Sequence, residues 1–352
     1  MIPIIFRPSL VIHEKEIERY SMAIRQVVLT NPSTSLHMIT EDPLEDVPSE
    51  ITQHAYTDYV HERHAELEQN FENFNSNFGD DECNKLLSFL VLEKFMERNK
   101  FDNCFMLEPQ ILLLSNIEEV FEKTFPKCDI ALCGKNNKTA CAFITLPLLQ
   151  FYNNFVLKQY GTEKGKKTME GIFTKMKNQG QRGGIEASTF FNWLNKKLYG
   201  EHSFIFEDLL TIHKDSAFDE GVNTNQQQFK MNGNFKILYE INNKTYAEHI
   251  DGRKIEMHSL NVSSPYEIIE SPLVGDNINN DAPLTLQGHS LSYANAEGGE
   301  RLLVIRCGGR VKRCGLCYLC FIFFNVVDFG YQIRQGFLHR AYTGLKVSDF
   351  KV

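Results

Sequence analysis

Residues 105–121, FMLEPQILLLSNIEEVF, constrain the fold more than any other part of the chain. Two apolar runs, residues 105–107 and 111–114, are separated by the polar break Glu108-Pro109-Gln110. Ser115, followed three residues later by Glu118, has the spacing of a capping box and predicts that a helix begins there. A buried strand that ends in oxygen-bearing side chains is typical of a ligand site at the edge of an open α/β sheet.

The rest of the chain predicts a mixed α/β fold with a mostly parallel sheet and flanking helices. A strand at residues 3–6, an amphipathic helix that stops before Asn31-Pro32, and a strand at residues 36–39 form a βαβ unit. An apolar helix over about residues 82–98 leads into the segment described above. Further strands are expected at 129–132 and 140–145, and residues 41–80 are expected to be loop and irregular helix.

Residues 235–258 predict a β-meander near the site. FKILYEI, KTYAEHI and RKIEMH alternate in strand fashion and are separated by Asn-Asn and Asp-Gly, which favour two-residue turns. His258 therefore leaves the end of the third strand. Because an isolated meander is marginally stable, we expect it to pack on the main sheet.

Charge divides the chain into two parts. Residues 301–352 contain nine Lys/Arg and two Asp/Glu, whereas residues 1–300 contain 28 Lys/Arg and 43 Asp/Glu. Their net charges are +7 and −15, which sum to the −8 of the whole chain. We expect a body over residues 1–265, a polar linker or loop over 266–300, and a separate basic segment over 301–352.

The C-terminal segment allows three interpretations. Cys314, Cys317 and Cys320, with Cys307 upstream, have the spacing of a zinc or iron–sulfur site. The surrounding run is strongly apolar, however, and buried free thiols are common in such runs. The basic residues before it also suit a peripheral membrane contact. Scattered cysteines and the absence of a signal peptide favour a cytoplasmic location, with membrane association as an option.

The order of these elements resembles that of nucleotide-sugar glycosyltransferases of the GT-A fold, over roughly residues 1–265. In that fold a strand ends in an Asp-x-Asp triplet, and here the triplet is the degenerate EPQ. The resemblance implies a Mn²⁺ or Mg²⁺ site formed by Glu108, Gln110 and His258. His258 matches the metal-binding histidine of a His-x-Gly-x-x-Lys segment, although the glycine and lysine are absent here.

The resemblance also implies roles for residues elsewhere in the site. Asp208, with Glu207 as the alternative, matches an acid that precedes an apolar helix and orients or deprotonates the acceptor. Phe6 and Arg7 match the nucleobase-binding end of the first strand. Lys85 matches a basic residue directed at the phosphates, and Ser88 is the other register for that position.

The implied activity is transfer of a hexose from a nucleotide-diphosphate sugar to a glycan or lipid-linked acceptor, without a nucleic-acid partner. The departures from the motifs all fall on the diphosphate site. Each charged group at such a site contributes a few kcal/mol, so these losses correspond to a rate roughly 10³-fold lower or more. The alternatives are a non-catalytic GT-A-like protein that binds a glycan or a protein, and a C-terminal module that binds a metal.

Overall fold

The computed structural model describes residues 2–10, 14–45, 47–74, 79–133, 141–179, 190–191, 204–221, 228–232, 235–236, 238–241, 244–261, 291–294 and 301–304. The chain divides into two units, Met1–Cys307 and Gly308–Val352, and every described residue belongs to the first. The cysteine cluster, the apolar run and most of the basic tail therefore lie outside the described residues.

The N-terminal half alternates strands and helices. Its elements are β1 (Ile4–Ser9), α1 (Glu14–Thr30), β2 (Leu36–Thr40), β3 (Ile51–Ala55), α2 (Glu62–Asn70), α3 (Gly79–Asn99), β4 (Asn103–Leu107), β5 (Ile111–Leu113), α4 (Ile117–Thr124), β6 (Ile130–Leu132), β7 (Cys141–Thr145), α5 (Leu146–Tyr160) and α6 (Glu163–Asn178). A 3-10 helix at Tyr56–Tyr59 joins β3 to α2.

Short strands follow α6. They are β8 (Phe206–Asp208), β9 (Ser216–Ala217), β10 (Met231–Asn232), β11 (Phe235–Lys236), β12 (Leu238–Ile241), β13 (Lys244–Glu248), β14 (Lys254–Met257), β15 (Ser259–Asn261), β16 (Leu291–Ala294) and β17 (Arg301–Val304). The last two form an antiparallel hairpin, so β16 lies within residues 266–300, the range predicted as linker or loop.

Seven strands form the central sheet in the order β3-β2-β1-β4-β7-β6-β8. Only β7 is antiparallel to its neighbours, so β1, β2, β3, β4, β6 and β8 all run in one direction. The predicted mixed, mostly parallel α/β sheet with flanking helices is confirmed. The carboxyl ends of these six strands meet at one edge, which we call the carboxyl edge.

Helices cover both faces of the sheet, which explains why the inner strands β1, β4 and β7 are mostly apolar. On one face, α3 and α5 bury a cluster that includes Ile5 and Met106. On the other face, α1 and α4 bury a second cluster that includes Phe6 and Leu107. Neighbouring residues of β1 and β4 thus point to opposite cores, as strand alternation requires.

Several sequence predictions differ from the structure in detail. The N-cap of α4 is Asn116, whose side chain accepts a hydrogen bond from the Glu119 backbone N–H, so the predicted cap at Ser115 is wrong. Residues 41–80 contain β3, which was not predicted because only Ile51 of its five residues is buried. The apolar helix predicted after Asp208 is absent from residues 209–213, where the described chain forms turns.

The predicted meander is present as β12, β13 and β14, but it pairs with β9 in a separate four-stranded sheet. Its second turn is longer than predicted. His249 and Arg253 still pair through their backbones, which leaves a three-residue loop that ends in Gly252 at φ +92°. That left-handed conformation is the one a three-residue hairpin loop needs at its last position.

Candidate active site

Arg7 and Glu108 meet at the carboxyl edge. β1 and β4 are parallel neighbours with Phe6 opposite Leu107, so Arg7 and Glu108 occupy matching positions just beyond the paired residues. Alternation places both side chains on the α3 face. There the Nη1 of Arg7 and the Oε1 of Glu108 form an ion pair, with side-chain exposures of 11% and 17%.

Gln110 completes this group, which we call the edge cluster (Arg7, Glu108 and Gln110). The Gln110 Nε2 donates a hydrogen bond to the second oxygen of Glu108, Oε2. Both carboxylate oxygens of Glu108 therefore accept hydrogen bonds from neighbouring side chains. Gln110 directs its amide N–H₂, rather than its carbonyl oxygen, at the carboxylate.

Aromatic rings on the α3 face pack against the edge cluster. The Arg7 guanidinium lies 5.5 Å from the centroid of the Phe89 ring on α3. Phe89 packs against Tyr152 and Phe191, whose rings stack with centroids 3.8 Å apart. Burial raises the pKa of the Tyr152 phenol, and the positive charge of Arg7 acts in the opposite direction.

Lys85 lies one helical turn before Phe89 and is exposed. Because α3 leads into the start of β4, its N-terminal half faces the carboxyl edge, which places Lys85 on the same side of the molecule as Arg7. Ser88, the alternative register, is buried and donates its hydroxyl to the Lys85 carbonyl at 2.7 Å. Its hydroxyl is thus used within the helix.

Phe6 has a different place from the one the resemblance implies. Its side chain has no exposed surface and packs near Tyr20 in the core between the sheet and α1, with ring centroids 6.1 Å apart. A ring in that position cannot stack on a nucleobase. Of the two residues predicted at this strand end, only Arg7 reaches the carboxyl edge.

His258 does not join the edge cluster. β15 runs antiparallel to β5 with Asn261 opposite Ile111, and the Leu114 N–H donates to the His258 carbonyl. His258 is thus level with Leu114, four residues from Gln110, or about 13 Å along the strand. Two ligands of one ion lie within about 5 Å of each other.

His258 instead pairs with Ser115 near the opposite edge of the sheet. Its Nδ1 lies 2.9 Å from the Ser115 Oγ, and Asn31, which follows α1, donates its side-chain N–H₂ to the Ser115 carbonyl. Burial lowers the pKa of His258 to about 4, and the positive charge of Lys244 contributes in the same direction against the raising effect of Glu256. The imidazole is therefore neutral near pH 7.

Asp208 and Glu207 end β8 at the carboxyl edge. Asp208 is opposite Leu132 of β6, and β8 is three strands from β4, which corresponds to about 14 Å. The Asp208 Oδ1 accepts a hydrogen bond from the Leu210 N–H at 2.9 Å and stabilises the turn that follows. Asp208 therefore shares an edge with the edge cluster without contacting it.

The side chains predicted to bind Mn²⁺ or Mg²⁺ do not fit such an ion as arranged. A hard cation needs several oxygen ligands around one point. Glu108 has both oxygens engaged by Arg7 and Gln110, and His258 lies too far away. In the described part of the chain no group of three His, Cys, Asp or Glu residues has a geometry that could hold a metal ion.

Sequence reasoning missed a buried ion pair between Lys236 and Asp219. Lys236 and Asp219 have no exposed side-chain surface and pair with each other. The Asp219 Oδ2 accepts from the Asn261 N–H at 3.0 Å, and the Asp219 carbonyl accepts from the Cys133 thiol. The available signal was a lysine within an apolar run, since such a lysine is buried only with a partner.

The comparisons with known proteins found glycosyltransferases among solved structures. Mouse xyloside xylosyltransferase 1 has a TM-score of 0.40 and 11% identity, over 59% of this chain and 84% of that one. The glycosyltransferase GlyE of Streptococcus pneumoniae TIGR4 has a TM-score of 0.33 and 10% identity, over 63% of this chain and 48% of that one. An active-site mutant of LgtC has a TM-score of 0.27 and 9% identity, over 46% of this chain and 65% of that one.

No family model matches this chain, and no curated protein matches it. Among the described residues, no helix combines the length and apolar character needed to cross a membrane.

Proposed function

We propose that this protein transfers a hexose from a nucleotide-diphosphate sugar to a hydroxyl group of a glycan or lipid-linked acceptor. The observation that carries the proposal is the meeting of Arg7 and Glu108 at the carboxyl edge, where ligands bind in open α/β sheets. The sequence resemblance to GT-A glycosyltransferases implies that the ligand is a nucleotide-diphosphate sugar.

The edge cluster would bind the diphosphate of the donor, and Asp208 would act on the acceptor hydroxyl. In the transfer, the bond between the anomeric carbon and the diphosphate oxygen breaks, and the diphosphate leaves with the bonding electrons. A new bond forms between the anomeric carbon and the acceptor oxygen, whose proton passes to Asp208 or Glu207 acting as general base.

A panel of nucleotide-diphosphate hexoses tests this proposal through hydrolysis and transfer to simple glycosides, with Mn²⁺ and with EDTA. We expect turnover of at least one donor and a decrease in kcat of about 10²–10⁴-fold in Asp208→Asn, because a general base contributes that much. Lys123→Ala, at an exposed position on α4, should retain wild-type turnover. The absence of turnover with every donor would contradict the proposal.

The hydrogen bonds of Glu108 favour a second candidate function. In this function the protein binds a glycan or a protein without transferring sugar. Both of its carboxylate oxygens already accept hydrogen bonds from Arg7 and Gln110. Binding of a donor or glycan without turnover in the same panel would support this candidate.

A further inference from the structure

We propose that Arg7, rather than a divalent cation, supplies the positive charge that receives the donor diphosphate, and that Glu108 is the counterion it exchanges for phosphate. This inference rests on the proposed function, because it names how the same site binds its anionic ligand. It follows from the observation that Glu108, Gln110 and His258, the expected metal ligands, are not arranged around one point.

Arg7 has the chemistry that a diphosphate site needs. A guanidinium is always charged and presents five N–H donors in a planar fork that matches two phosphoryl oxygens. Arg7 lies at the carboxyl end of β1, and its side chain is 11% exposed. A ligand at this edge can therefore reach it.

Phe89 fixes the orientation of the guanidinium. The Arg7 side chain rests over the Phe89 ring at 5.5 Å, and that ring is itself held by Tyr152 and Phe191. A cation over an aromatic face is attracted by the ring, which holds the plane of the guanidinium in one orientation. The site is therefore preorganised before the ligand arrives.

Glu108 acts as the internal counterion. A largely buried guanidinium without a partner would be costly, and Glu108 neutralises it while Gln110 holds the other carboxylate oxygen. A phosphate that enters the site competes with this carboxylate for Arg7 and is repelled by its charge. Removing the charge of Glu108 should strengthen phosphate binding, whereas removing that of Arg7 should weaken it.

Calorimetric titration with UDP, GDP and inorganic pyrophosphate in the presence of EDTA tests the proposal on the full-length protein. Wild type should bind at least one of these probes without a divalent cation. Arg7→Gln should bind about tenfold to a hundredfold more weakly, the range for a lost hydrogen bond to a charged group. Glu108→Gln should bind more tightly than wild type, and Lys123→Ala should match wild type.

The opposite signs expected for Arg7→Gln and Glu108→Gln separate a binding role from a structural one, because loss of folding would weaken both variants. If Arg7→Gln does not fold, Arg7→Lys keeps the charge without the fork, and its weaker binding is the equivalent result. Binding by wild type only with Mn²⁺ would overturn the role of Arg7 and leave the proposed function intact. Equal binding by wild type and Arg7→Gln would also overturn it. No binding with or without Mn²⁺ would overturn both proposals.

Discussion

Lys236 and Asp219 show how a charged pair can be part of a core. Both side chains are fully buried, and the Lys236 ammonium also donates to the Gly221 carbonyl at 2.9 Å. The second Asp219 oxygen accepts the Asn261 N–H, so both carboxylate oxygens and two of the three ammonium N–H donors are hydrogen-bonded. Removing one member leaves the other charge buried without compensation, which is far more destabilising than losing an exposed pair.

We expect Lys236→Met to lower the free energy of unfolding by about 3–5 kcal/mol, measured by urea denaturation. The double variant Lys236→Met with Asp219→Asn should lower the free energy of unfolding less than Lys236→Met does. The amide keeps an acceptor for the Asn261 N–H and leaves no buried charge. Lys123→Ala breaks a pair with Glu119 whose members are 73% and 68% exposed, and should change stability by at most about 0.5 kcal/mol. A loss in Lys236→Met as small as in Lys123→Ala would contradict this account.

The sequence could not identify this pair or the edge cluster as units. Lys236 and Asp219 are 17 residues apart, and Arg7 and Glu108 are 101 residues apart. Arg7, Glu108 and Gln110 were each predicted as site residues from the resemblance, at positions that follow strands. The Arg7–Glu108 ion pair depends on the register between β1 and β4, which the amino-acid pattern does not specify.

At the scale of single elements, apolar periodicity predicted the strands and helices whose buried residues are regularly spaced. β1, β4, α1 and α3 were predicted because their buried residues recur at strand or helix spacing. β8 was not predicted, because a three-residue strand that contains Glu207 and Asp208 has no apolar period. His258 was correctly placed after the meander, but the antiparallel register of β15 on β5 puts it beside Ser115.

The start of α4 provides a test at this scale. The Asn116 side chain accepts the Glu119 N–H at 3.1 Å, and replacing such a cap by alanine costs about 1 kcal/mol. We therefore expect Asn116→Ala to lower the free energy of unfolding by that amount in urea denaturation. Asn116→Asp should restore most of it, because aspartate is an equally good cap and favours the helix N-terminus. Equal stability of wild type and Asn116→Ala would contradict the assignment of this cap.

At the scale of the whole molecule, the described hydrophobic cores lie within the body of the chain. Among the described residues, the buried members of the two large core clusters lie between Ile4 and Phe218, and the remaining buried apolar residues extend to Leu260. A chain of that length is sufficient to bury a complete core. The change of charge sign at about residue 300 remains the basis for predicting a separate C-terminal segment.

A chain truncated near Asn280 should accordingly remain soluble and unfold in one cooperative transition. It retains every strand of the central sheet and the meander, so we expect a Tm within about 4 °C of that of the full-length protein, the shift that roughly 1 kcal/mol would produce. Circular dichroism and calorimetry on both chains measure this difference, and a second truncation after Cys307 separates the contribution of the β16–β17 hairpin from that of the basic tail. Aggregation of both truncated chains would show that residues 308–352 contribute to the folded body, because the apolar run at 321–327 would then be needed to cover it.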